Sequence, residues 1–194
     1  MKRLLPLIFL LSSVAPAQAA PIYLFPVVGC DYTYAKSHHD YPATDILAKA
    51  GCKYVALTSG VIDEVNRVDS WSGKTNLGAD RGGLYVSFIG DDGVRYYASH
   101  LRSIPASIQP GVVVAAGRLL GAIGATGSAR GTAPHVHFGI SWPTPVESGV
   151  WWVRRGVVWP WKYLNAWKSG KDLSPVKEVN AKKLKLGELP PAPK

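Results

Sequence analysis

The stretch Leu84-Tyr85-Val86-Ser87-Phe88-Ile89-Gly90-Asp91-Asp92-Gly93-Val94-Arg95-Tyr96-Tyr97-Ala98 decides the fold. Two runs rich in valine, isoleucine and aromatic residues flank Asp91-Asp92-Gly93, which has the composition of a tight hairpin turn. Working outward, the same texture recurs in short runs at 54–57, 61–68, 112–115, 119–123 and 136–140, separated by glycine. Runs this short and this closely spaced leave no room for crossover helices, so the expected fold is all-β and antiparallel. The segment 71–83 is polar, carries glycine and has no periodicity, and reads as a loop.

Composition agrees with one folded domain. Of 194 residues, 47% are hydrophobic and 18% charged, enough to build a core and too apolar for a disordered chain. Twenty glycines and fifteen prolines without a repeat argue for many turns, against collagen and against long helical bundles. A net charge of +9 implies an anionic partner, for which nucleic acid, a membrane surface and wall polymers all qualify.

The beginning of the chain bears on compartment. Lys2-Arg3, an apolar run to Leu11 and Ala17-Gln18-Ala19 have the form of a cleaved secretory signal, so 1–19 is expected to be removed. That apolar run is too short to span a bilayer, and no later stretch is long and uncharged enough, so no membrane span is expected after cleavage. An exported protein, periplasmic or extracellular, meets an oxidising environment, and Cys30 and Cys52 are expected to form a disulfide.

After Pro145 the chain turns aromatic and basic, with Trp151-Trp152-Val153-Arg154-Arg155 and Trp159-Pro160-Trp161. Pro160 is placed to open a short helix that packs on the sheet. These tryptophans read first as packing area and second as a surface for bases or sugars. The reading assigns 20–170 to the folded domain and 171–194, rich in lysine and proline, to a disordered tail.

The five histidines fall in three places: His38-His39 followed by Asp45, then His100, then His135-Val136-His137. In a strand, H-x-H puts both rings on one face, within reach of a common centre. Two histidines and a carboxylate give three ligands with a fourth tetrahedral position left for water, the arrangement of hydrolytic zinc. The glycine-rich approach to the second cluster, 121–134, lets backbone come close to a substrate. It is not a phosphate loop, because no G-K-[ST] follows.

Taken in order, these motifs resemble the lysostaphin-like (LytM-type) zinc endopeptidases of peptidoglycan. Their pattern is an H-x-x-x-D element, a downstream Y-x-H-L and a terminal G-x-x-G-x-T-G followed by H-x-H-F. The resemblance runs from about residue 37 to 141 and takes in Asp45-Ile46, Gly60-Val61, Gly117, Gly121, Thr126-Gly127 and His135-Val136-His137-Phe138. It implies a compact, barrel-like antiparallel metallopeptidase domain and hydrolysis of peptide bonds in wall stems or cross-links. By the same resemblance, one zinc per chain is held by His39, Asp45 and His137, His135 is the general base, and His100 hydrogen-bonds the oxyanion. The expected partners are peptidoglycan peptides and anionic wall polymers, with no nucleic acid.

Three departures stand out. The first motif is stretched by Asp40-Tyr41-Pro42-Ala43-Thr44, so that His38 is an alternative ligand to His39; His39 is preferred because a two-residue insertion preserves strand parity. Tyr97-Ala98-Ser99-His100 carries one residue more than Y-x-H. Gly139 stands where the family often has glutamate. Two other readings differ in class: a non-catalytic relative that binds and activates other wall hydrolases, and a secreted carbohydrate-binding β-module using the tryptophans.

Overall fold

The computed structural model describes residues 22–36, 38 and 41–192. The segment 1–19 and His39 lie outside the described residues. The fold is a nearly closed antiparallel sheet, as the sequence leads one to expect, and the described residues include three short helices where the sequence pointed to one.

Among the described residues ten strands run in chain order as β1 (Val27–Val28), β2 (Tyr32–Tyr34), β3 (Thr44–Ala48), β4 (Lys53–Val55), β5 (Gly60–Asn66), β6 (Leu84–Gly90), β7 (Arg95–Ser103), β8 (Val113–Val114), β9 (Leu119–Ile123) and β10 (His135–Ser141). The main path is β1-β4-β9-β7-β10-β3-β2, and β6, β5 and β8 extend from β7. The seven runs read from the sequence correspond to β4 through β10. The three strands before Lys53 were not anticipated, since β1 and β2 are too short to show a period and Thr44–Ala48 alternates around Asp45.

The β6–β7 turn closes as its residues dictate. Gly93 adopts φ +76°, Gly90 N–H donates to Val94 O at 2.9 Å, and the Asp92 carboxylate accepts from Val94 N–H at 3.0 Å. Alternation then sorts each strand by face. In β10, Val136, Phe138 and Ile140 are fully buried in the core while His135, His137 and Gly139 face the other way.

The core face is covered by α2 (Trp161–Lys168), which follows Pro160. Its Trp167 packs edge-on against Phe138 and Tyr96 and stacks with Tyr23. The opposite face of β10 carries α1 (Trp151–Arg155). A Cβ at Gly139 would overlap the Arg155 carbonyl oxygen, so the glycine where a glutamate is common is what lets this helix sit down. Arg154 of α1 bonds Asp63 at 2.9 Å and Glu64 at 2.8 Å, and Arg95 bonds the same two carboxylates at 2.6 and 3.2 Å, tying α1 to β5 and β7.

The expected disordered tail is a correction. Val176–Leu186 forms α3, with Val179 buried and Glu178 accepting from Tyr163 Oη at 2.8 Å and pairing with Lys162 at 2.5 Å. Only Val176 and Val179 supply an apolar stripe, too sparse to stand out among the lysines. Glu178 in the first turn with Lys183 and Lys185 in the last suits the helix dipole. Cys30 and Cys52 are joined by a disulfide with Cα atoms 6.0 Å apart. Among the described residues no helix is long and apolar enough to cross a membrane.

Candidate active site

Register assembles the site. β10 lies between β3 and β7, with His137 opposite Asp45 on one side and Ser99 on the other, so all three side chains share the face away from the core. His137 Nδ1 donates to Asp45 Oδ1 at 3.1 Å. His38, from the β2–β3 connection, brings Nε2 to 3.9 Å from Asp45 Oδ2 and its ring to 4.8 Å from that of His137. One donor atom each from His38, Asp45 and His137 lies within 4.8 Å of the others, a two-nitrogen, one-oxygen set of the kind that binds zinc.

The Asp45 carboxyl shows why the three belong together. Burial alone would push it up, but the hydrogen bond from His137 and the charges of His137, His135 and His38 outweigh that and lower it to about 2. It is an anion at any ordinary pH, as a ligand must be.

His100 reaches the site through an irregularity. Ala98 pairs with Val86 and Leu101 with Leu84, so two residues of β7, Ser99 and His100, stand opposite Tyr85 alone. That is a β-bulge, and it absorbs the extra residue of the Y-x-H motif. His100 takes φ +64°, its N–H donates to Gly82 O at 2.9 Å, and its ring lies 4.9 Å from His135 and 6.1 Å from His137. Its Nδ1 is anchored on Thr126 O at 2.8 Å, and His135 Nδ1 on Ala133 O at 2.8 Å. A carbonyl accepts only, so in both rings Nδ1 is the donor to that carbonyl and Nε2 is the nitrogen left for chemistry. Burial, then the neighbouring His137 and His135, lower His100 to about 3, so it rests neutral.

The sequence reading did not single out Tyr41, Arg81, Trp151 or Arg155 for the site. Tyr41, inside the stretched first motif, bonds His137 Nε2 through its hydroxyl at 3.3 Å, and burial raises its pKa. Trp151 and Arg155 line the cleft with His38, His100 and His137. Arg155 donates to Gly78 O at 2.6 Å and Ala79 O at 2.8 Å, bracing the 71–83 loop that forms the far wall. The W-W-V-R-R run was the available signal, and packing was the simpler reading of it.

Similar folds occur in solved structures. The catalytic domain of the antimicrobial peptidase lysostaphin from Staphylococcus simulans matches at 24% identity and TM-score 0.51, over 69% of this chain and 92% of that one. Another structure of the antimicrobial peptidase lysostaphin from the same organism matches at 26% identity and TM-score 0.52, over 75% of this chain and 55% of that one. A protein from Ruminococcus gnavus assigned as a glycyl-glycine endopeptidase LytM matches at 21% identity and TM-score 0.58, over 78% and 62%. The chain thus spans only about three fifths of the latter two. Comparison with curated proteins gives no match. The model of Peptidase family M23 matches residues 39–148, more than half of the sequence and nearly all of the strands that carry the histidines, and the chain belongs to that family.

Proposed function

We propose that the protein is an exported zinc endopeptidase that hydrolyses peptide bonds in the stems or cross-links of peptidoglycan. The observation that carries this is the His38–Asp45–His137 donor set lying beside the His100–His135 pair. The donor types fit one zinc per chain, with His38, Asp45 and His137 as ligands; His39, the other candidate, lies outside the described residues. Zinc bound there supplies a Lewis acid that polarises a carbonyl and acidifies water.

His135, with Nδ1–H committed to Ala133 O, takes the proton of the attacking water on Nε2 and passes it to the leaving amine. His100 donates to the oxyanion only when Nε2 is also protonated, by a proton drawn from solvent as the tetrahedral intermediate forms and returned to solvent when it collapses. Negative charge developing on the carbonyl oxygen favours that proton against the burial that keeps the ring neutral at rest. Thr126 O holds the ring in place throughout. The protein's net positive charge favours residence on anionic wall polymers.

The test is digestion of isolated sacculi by the mature protein. New free amino groups without new reducing sugar ends are expected, since glycoside hydrolysis generally uses a pair of carboxylates and the cleft lining contains none among the described residues. The competing reading, a regulator that activates other hydrolases, is disfavoured by the intact donor set. It would be adopted if zinc-loaded protein left sacculi of several wall chemistries uncut yet stimulated another hydrolase.

A further inference from the structure

The cleft beside the histidines has a charge that the hydrolytic chemistry does not use. Two guanidinium groups, from Arg81 and Arg155, line it, together with Trp71, Asn76 and Trp151, and among the described residues no carboxylate belongs to that lining. Arg155 is buried and has given its terminal nitrogens to the Gly78 and Ala79 carbonyls, while Trp151 lies against its guanidinium at 4.9 Å. It is a brace.

Arg81 differs. Its Nε donates to Asn76 Oδ1 at 3.1 Å, and among the described residues neither terminal nitrogen has a partner. The same Asn76 oxygen accepts from Trp71 Nε1 at 3.2 Å, and Asn76 itself holds φ +45°, a left-handed conformation that asparagine tolerates better than most residues. Trp71 is held in turn by the Arg130 guanidinium 5.3 Å from its ring, and Arg130 is paired with Asp69 at 2.8 Å. The loop thus fixes the Arg81 guanidinium by its Nε at the lining of the cleft and leaves its two-nitrogen end uncommitted among the described residues. That fork suits a carboxylate, which it can bind with two parallel charge-assisted hydrogen bonds.

We infer that Arg81 is a substrate-specificity residue that binds a free carboxylate carried by the peptide next to the scissile bond, so that the cleft selects acidic stem peptides over uncharged bridges such as oligoglycine. This rests on the peptidase reading for the identity of the ligand. The carboxylate has two possible sources, a side chain of the stem and the free end of the peptide. Both offer the same group to the same fork.

The experiment measures binding, so that its outcome is separate from turnover. Zinc-loaded full chain carrying His135→Ala is titrated calorimetrically with a cross-linked stem peptide bearing free carboxylates. The same peptide is then used amidated at the side chain, amidated at the terminus, or amidated at both, with pentaglycine amide as the uncharged control. Affinity is expected to fall about tenfold or more when the recognised carboxylate is amidated, and the singly amidated forms identify which one it is. Adding Arg81→Met should erase that difference and leave pentaglycine amide unchanged. Arg81→Lys, which keeps the charge without the fork, should restore part of it. Equal affinity for free and amidated peptides, or a preference that survives Arg81→Met, overturns the inference. Failure of the wild type to cut sacculi overturns the peptidase reading instead, and leaves the binding preference to be judged on its own.

Discussion

The Arg155 carbonyl oxygen rests against the α-carbon face of Gly139, with no space between them for a Cβ. Gly139 is two residues beyond His137 on the same face of β10, so the helix that closes the cleft is seated through the strand that carries the metal-site histidine. Gly139→Ala forces α1 off the sheet. Overpacking of this kind costs about 1–3 kcal/mol, and the melting temperature should fall accordingly. Peptide cleavage should fall further than stability does, because the displaced Arg155 releases the 71–83 loop.

Zinc content tests the ligand set. Elemental analysis of protein purified without added metal should give close to one zinc per chain, and Asp45→Ala or His137→Ala should abolish it. His38→Ala and His39→Ala, measured side by side, identify the third ligand. Loss of zinc only on His39→Ala would reverse the assignment favoured by the His38–Asp45 approach.

His135→Ala is expected to keep zinc and lose about 10²–10⁴-fold in kcat, the usual contribution of a positioned proton-transfer group. Zinc measured on the same preparation separates this from a ligand defect. A variant that lost metal together with activity would remove the base assignment.

The Cys30–Cys52 bond closes a loop that carries His38 and Asp45. Cys30→Ser with Cys52→Ser should lower unfolding stability by about 3 kcal/mol in the chain-entropy account, read from the denaturant midpoint. Zinc affinity should weaken as well, since two of the three donors lose their tether.

The buried charges at Asp63 predict a pH dependence. Burial pushes the Asp63 carboxyl up, but Arg95 and Arg154 outweigh it and hold it below the usual carboxylate range. Its contribution to stability is therefore fully present above the unfolded carboxylate value of ~3.9 and lost as pH falls through the lower folded value. Asp63→Asn should cost about 3 kcal/mol at neutral pH, because the buried Arg95 loses a charged partner. The difference from wild type should shrink in acid. A constant difference across the acid range would contradict the assignment.

Much of this architecture could be read from the chain because it rests on local rules. Period-two runs, the Asp91-Asp92-Gly93 turn and the parity of H-x-H each carry their meaning within a few residues. Elsewhere the meaning lies in partners distant in sequence. Thr44–Ala48 is a strand because His135–Phe138 pairs with it, and nothing within five residues reveals that. The helix at Val176–Leu186 exists because Glu178 meets Tyr163 and Lys162 of α2 and Val179 is buried in the core, and its own composition reads as a solvated tail. The extra residue before His100 was visible, but that it would become a bulge aiming the ring at the site depends on Tyr85 and Gly82 across the sheet. Gly139 stood out in the sequence as a departure and Arg155 as part of a basic aromatic run, but that each explains the other is visible only in space.

That Trp151 and Arg155 complete the cleft has a practical consequence. A fragment trimmed to the family-matched residues 39–148 would keep Asp45, His100, His135 and His137 but lose one wall of the groove and the helix whose Arg154 neutralises Asp63 and Glu64. Every side chain assigned to the chemistry except His38 would be present, as would Arg81, but the wall formed by Trp151 and Arg155 would not. The cleft is consequently not portable at family length: a chimera or a minimal expression clone has to begin before His38 and run at least through α1 to carry both of its walls.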